Sequence, residues 1–264
     1  MALLEVACFS PEHALLAYEA GADRIELCND RHAGGTTPPL RWLTAIREII
    51  TVPVFVMIRP RGGDFHYSDQ EFSQMKAEIQ NFKGLADGYV FGLLNGEGKV
   101  DVARTGDLVG CAHPLPCTFH RAFDDTPNAF EAFENVISAG CRAILTSGGA
   151  ASALAGVETL AQLVRMSQGR VTVMPGGSVR ARNIAMVKGY TKAEVFHSSG
   201  VPKGMEVPSA DEIRDMKSLL QAPMAGLAPL QRPPSPATDD SADDGEAVER
   251  MQMSAVSIGA SPPF

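Results

Sequence analysis

Along residues 1–222 two patterns alternate. Short apolar runs, several rich in β-branched residues, give way to polar or Gly-containing stretches and then to amphipathic segments whose apolar positions recur at helical spacing. The apolar runs predict strands over 3–8, 24–28, 54–60, 88–93, 116–120, 143–146, 171–174 and 194–197. A helical pattern follows each of them, starting near Pro11, Pro39, Ser68, Asp101, Thr126, Ala151, Val179 and Ser209. Several of these starts carry the Ser, Thr, Asp or Pro expected in a first helical turn. Parallel strands need a crossover to return the chain, and a repeat of about 25 residues supplies one helix for each. Eight such units in one domain, residues 1–222, predict an α/β fold of the (β/α)8 TIM-barrel type. The competing architecture is an open doubly wound sheet, but no Gly-x-Gly-x-x-Gly follows the first strand.

The alternation stops near Pro223. Residues 223–264 are dominated by Pro, Ser, Ala, Gly and Asp, with six acids against two bases and no aromatic residue before Phe264. Such a segment has little to bury and is expected to be a disordered, solvated acidic tail, with a short helix over 247–256 as the one exception. The whole chain of 264 residues carries a net charge of -8, which argues against nucleic acid or an anionic membrane as the main partner. No window reaches the roughly 20 apolar residues of a membrane-spanning helix, and no basic region precedes the first apolar residues. The five cysteines are an odd number without Cys-x-x-Cys spacing, as expected of reduced thiols in the cytoplasm.

A barrel carries its site at the carboxyl ends of its strands, so those residues are the ones to inspect. After strand three come Arg59 and Arg61, which share a face if the chain stays extended and would then clamp an anion; equally, they could pair internally with Glu5, Glu26, Asp64 or Asp124. Strand five ends on His120, a candidate general acid/base or ligand and otherwise a structural hydrogen-bond donor. Asp124 would hold its tautomer or pair with Arg121. Strands six to eight run into Ser147, Gly176, Gly177, Ser198 and Ser199, small residues at helix starts that suit a phosphate or carboxylate, or simply tight turns. Cys8 and Cys28 end adjacent strands and could hold a soft ion such as Cu(I), or serve as small buried apolar residues. If Glu5 and Glu26 face the barrel axis, Cys28 faces it too while Cys8 faces the helices, so the two sulfurs point apart.

Taken in order, these strings resemble the CutC family, the copper homeostasis proteins. The resemblance rests on Glu5, Gly21-Ala22-Asp23-Arg24-Ile25-Glu26-Leu27-Cys28, Gly34-Gly35-Thr36-Thr37-Pro38, Arg59-Pro60-Arg61-Gly62-Gly63-Asp64-Phe65, Thr118-Phe119-His120-Arg121-Ala122-Phe123-Asp124, Leu145-Thr146-Ser147-Gly148, Met174-Pro175-Gly176-Gly177 and Phe196-His197-Ser198-Ser199. It implies a TIM-type barrel, a cytosolic setting, self-association and a role in copper tolerance or Cu(I) binding, with Cys28 and Cys8 as candidate ligands. In that alignment Ala7 stands where members can carry a cysteine, and the stretch before Ser209 is shorter than the family's loop. The residues themselves support a second reading. A barrel enzyme would act on a small anionic or phosphorylated metabolite, with Arg59, Arg61 and Arg121 gripping the anion, His120 as acid/base and Glu26, Glu5 or Asp124 as carboxylates.

Overall fold

The computed structural model describes residues 2–223. Eight strands alternate with eight helices in one continuous series: β1 (Leu3–Cys8), α1 (Pro11–Glu19), β2 (Arg24–Leu27), α2 (Leu40–Ile46), β3 (Val54–Met57), α3 (Asp69–Phe82), β4 (Gly88–Phe91), α4 (Val102–Ala112), β5 (Cys117–Phe119), α5 (Ala129–Ser138), β6 (Ala143–Thr146), α6 (Val157–Ser167), β7 (Thr172–Pro175), α7 (Ala181–Thr191), β8 (Val195–Ser198) and α8 (Ala210–Gln221). Side chains just before the helices cap α1 (Ser10), α3 (Ser68), α4 (Asp101), α5 (Asn128) and α8 (Ser209). Each cap satisfies backbone N–H groups that would otherwise lack partners, and contributes about 1 kcal/mol. The acidic tail, with its expected helix over 247–256, lies outside the described residues.

All ladders are parallel and run in the order β7-β6-β5-β4-β3-β2-β1-β8. β7 comes alongside β8 as well: a Cβ placed on Gly176 would lie 3.5 Å from His197 Cβ and 2.3 Å from Leu145 Cδ1, so the absence of a side chain there lets the eight strands form a nearly closed barrel. The period of two along each strand sorts side chains into two layers. Leu4, Val6, Ile25, Val56, Phe91, Phe119 and Phe196 face outward and pack with the helices in the main core. Phe55, Met57, Val90 and Cys28 form a smaller inner cluster. Alternation places Glu5, Arg24, Glu26, Thr118 and His197 on that inner side.

Two boundaries differ from expectation in ways that matter for the site. The β3 ladder stops at Met57 rather than continuing to residue 60, because the Arg59 N–H donates to Thr37 Oγ1 instead of to a neighbouring strand. The helix expected from Ala151 begins only at Val157. Residues 147–156 are instead folded into turns, tied to the next loop by the Ala153 N–H donating to the Gly177 carbonyl. Gly156 lies so close to the Ser147 carbonyl oxygen that a Cβ there would meet it at 1.9 Å.

Candidate functional site

The barrel axis holds charge where most barrels hold aliphatic side chains. Strand pairing sets Glu5 beside Arg24 on one flank and beside His197 on the other. Arg24 Nε donates to Glu5 Oε2 at 2.5 Å, and His197 Nδ1 donates to Glu5 Oε1 at 2.7 Å. His197 Nε2 points toward Glu26 Oε2 from 3.8 Å, beyond a direct hydrogen bond. The three acidic and imidazole side chains are all buried, and their donor atoms lie within 4.8 Å of one another.

Environment separates the two carboxyls. Burial pushes Glu5 up, but Arg24 and His197 outweigh it and hold the group below its ordinary range. Glu26 lacks a cation of its own at contact distance. Burial dominates there, opposed by His197 and reinforced by Glu5, and raises it to about 7. Its Oε1 has no hydrogen-bond partner. The Cys28 thiol is within hydrogen-bonding reach of Glu26, and burial together with that acidic neighbour pushes it well above the ordinary thiol range.

The structure separates the two sulfurs. Cys28 packs with Phe55, Met57 and Val90 inside the barrel. Cys8 belongs to the outer core beside Leu4 and Val6, its Sγ 3.5 Å from the Val6 carbonyl oxygen.

The two arginines after β3 do not form a joint clamp. With the strand ended, Pro60 and the Gly62-Gly63 turn send them apart. Arg59 is buried at 4% exposure and donates to the carbonyls of Ala33, Gly35 and Gly63, with its guanidinium over the Phe65 ring. Arg61 is at the surface, held by Glu71, Asp64 and the His66 carbonyl. Both therefore serve first to shape the loop over the barrel mouth. His120 lies beneath that loop, its ring 5.0 Å from Phe65. Its Nδ1 accepts from the Ala122 N–H, which leaves the proton on Nε2, a buried atom with no hydrogen-bond partner. Burial, with the charge of Arg59 behind it, lowers His120 to about 3, so the ring is neutral.

Asp124 does not orient His120. Its carboxylate accepts from Arg121 Nε, Thr146 Oγ1 and the backbone N–H groups of Ser147 and Gly149. The protein's own carboxylate thus occupies the donor set expected to grip an external anion, and Arg121 Nη2 adds a 3.5 Å contact to Ser147 Oγ. The β7 and β8 loops are also tied internally, by a cation as well as a carboxylate. Arg180 donates to the hydroxyls of Ser198 and Ser199, and the Ala181 N–H at the start of α7 donates to Glu212 Oε1. Gly177 packs near the Arg121 guanidinium, and Gly176 is the close-approach point opposite His197.

Sequence reasoning passed over His197 and Arg24 as site residues. A usable signal existed, since both share the inward parity of Glu5 and Glu26. What was missing is that β8 closes against β1, which brings His197 to Glu5 across 192 residues of chain.

Comparison with known proteins places this arrangement. The CutC family profile matches residues 2–201. A human protein named copper homeostasis protein cutC homolog is 44% identical over 198 residues, covering 75% of this chain and 72% of its own length. A family protein CutC of Salmonella enteritidis is 45% identical over 202 residues, covering 76% and 81%. The crystal structure of the putative copper homeostasis protein CutC from Streptococcus agalactiae superposes with a TM-score of 0.71 at 28% identity, over 75% of this chain and 99% of that one. Phosphoribosylanthranilate isomerase from Pyrococcus furiosus shares the fold alone, with a TM-score of 0.57 at 15% identity over 83% and 98% of the two chains. The match over three quarters of its length shows that the chain belongs to the CutC family of copper homeostasis proteins.

Proposed function

We propose that the protein serves copper homeostasis in the cytosol by holding one Cu(I) ion as cargo on the barrel axis, with Cys28 Sγ, His197 Nε2 and a Glu26 oxygen as donors. The observation that carries this reading is the buried convergence of Glu5, Glu26 and His197, with the Cys28 thiol beside Glu26. A carboxylate behind the imidazole is the usual device for fixing a ligating histidine, and Glu5 stands in that position at Nδ1. A thiolate and an imidazole are the donors a soft monovalent ion prefers. Charge also favours Cu(I). Replacing the Cys28 proton by a monovalent ion leaves the net charge of the axis unchanged, whereas a divalent ion would add a positive charge near Arg24. The cytosolic setting is supported by five free thiols, four of them buried.

The test is an anaerobic Cu(I) titration of the full chain against a competing chelator, comparing Cys28→Ser, Cys8→Ser and the parent. One equivalent should bind to the parent and to Cys8→Ser, and Cys28→Ser should weaken binding at least a hundredfold. Equal affinity in Cys28→Ser and parent overturns the assignment. Loss in Cys8→Ser as well would mean that β1 shifts to bring both sulfurs together.

A further inference from the structure

The mouth of the barrel holds a second group of side chains that copper chemistry does not use. Arg59 is buried, yet it makes no ion pair among the described residues; its bonds go to three backbone carbonyls, and its Nε has no partner. A buried guanidinium without a counter-ion is costly, and structures that keep one supply an anion from somewhere. His120 Nε2 and Thr118 Oγ1 are likewise buried without partners, and Tyr67 Oη, within reach of the Arg59 guanidinium, completes no hydrogen bond of its own. Arg59 and His120 share Phe65 as a packing neighbour, at 4.8 Å and 5.0 Å, and the loop that carries Phe65 also carries Tyr67. Two of these orphaned atoms, Arg59 Nε and His120 Nε2, can only donate. Unpartnered buried donors are rare enough that each calls for an explanation, and several sharing one end of the barrel call for a common acceptor.

We propose that the barrel mouth binds a small monocarboxylate, whose oxygens accept from Arg59 Nε–H and His120 Nε2–H with the hydroxyls of Tyr67 and Thr118 nearby. The charge of the ligand follows from the count: one buried cation without a counter-ion calls for one negative charge. A phosphate dianion fits less well, because the backbone donors of the loops that would hold it are already taken by the carboxylates of Asp124 and Glu212. The rest of the ligand would be short and apolar, to lie against Phe65 and the inner cluster of Phe55, Met57 and Val90. The inference draws its polar contacts from neither Cys28 nor His197, although the apolar cluster it uses also packs Cys28.

The test uses the full chain without added metal. Thermal unfolding is followed in sodium propionate, sodium phosphate and sodium chloride at equal ionic strength, for the parent and for His120→Asn. Asparagine keeps an acceptor for the Ala122 N–H through Oδ1 but removes the Nε2 donor. Propionate should raise the midpoint of the parent beyond the other two salts, with an apparent Kd at least tenfold weaker in His120→Asn. A second measurement needs no variant: in histidine-labelled parent protein, the Nε2–H resonance of His120 should move with propionate and stay in place with chloride. No propionate-specific shift, the same shift in His120→Asn, a preference for phosphate, or an unmoved His120 resonance would each overturn the proposal.

Discussion

His120 and Glu26 both titrate far from their ordinary values, and they pull stability in opposite directions with pH. His120 falls from 6.5 to about 3 on folding because its ring is buried beside Arg59 and Arg121. A depressed histidine leaves the folded state neutral while the unfolded chain takes up a proton, so its contribution is whole above pH 6.5 and is lost as the pH falls toward 3. The slope is about 1.4 kcal/mol per pH unit, and the full loss is on the order of 5 kcal/mol. Glu26 rises from 4.5 to about 7 because of burial, opposed by His197 and Arg24 and reinforced by Glu5. Its contribution is whole below pH 4.5 and is lost as the pH rises through 7.

Between pH 4.5 and 6.5 the two slopes therefore cancel in the parent, and single variants expose each one. His120→Asn removes the first slope, so relative to the parent it should gain about 2 to 3 kcal/mol on going from pH 6.5 to 4.5. Glu26→Gln should do the reverse over the same window. The assay is urea unfolding of parent and variants at half-unit steps from pH 7.5 to 4.5. Differences between curves are read, so every other titrating group drops out. If the His120→Asn curve runs parallel to the parent across that window, His120 is not a buried neutral imidazole and the account of the barrel mouth fails with it.

Three further outcomes follow from the same contacts. Glu5→Gln removes the carboxylate in contact with Arg24 on the barrel axis and should cost about 3–5 kcal/mol by urea unfolding, the usual consequence of breaking a buried pair; a cost below about 1 kcal/mol would mean that water or Glu26 compensates. Asp124→Asn weakens acceptance from Arg121 and from the Ser147 and Gly149 N–H groups and should lower stability by roughly 2–4 kcal/mol, with protease sensitivity rising in the 147–156 loop; unchanged cleavage there would contradict the role given to Asp124. Under brief iodoacetamide treatment at pH 7.5, mass spectrometry should find Cys111, the partly exposed thiol, modified first and Cys28 last, because burial and Glu26 keep Cys28 protonated. Early labelling of Cys28 would refute that environment.

The fold was readable because each strand is a short apolar run and five of the eight helices carry their own side-chain cap, so no distant partner is needed to recognise either. The axis was half readable. Parity alone puts Glu5, Glu26 and Cys28 inside the barrel, but the partner of Glu5 is His197, and only ring closure brings β8 to β1. The mouth was harder to read, for a local reason. Treating Arg59 and Arg61 as one clamp assumed extended backbone through residue 61, and the ladder ends at Met57, where a hydroxyl from Thr37 captures the Arg59 N–H. The Gly-rich loops were harder still. Free N–H groups at helix starts look alike whether they await a phosphate or face a carboxylate of the same chain, and here a short 3-10 turn at Arg121–Asp125 delivers Asp124 to them.

These differences share one cause. Barrel enzymes that grip phosphate leave the donors of their last loops open, whereas this chain closes backbone donors there with the carboxylates of Asp124 and Glu212. Among the described residues, the buried side-chain atoms left unsatisfied are Glu26 Oε1 on the axis and atoms of Arg59, Tyr67, Thr118 and His120 toward the mouth, together with His13 and Thr105 elsewhere. An acceptor with a raised pKa beside a thiol suits a cation that displaces a proton, and orphaned donors around an unpaired guanidinium suit an anion. If both proposals hold, the barrel would carry two sites of opposite preference along one axis, and a copper titration repeated with and without propionate would show whether filling one changes the other. Coupling would appear as a reciprocal change in the two affinities, because linkage requires the same factor in both directions. A factor of one in both directions would mean that the two sites are filled independently.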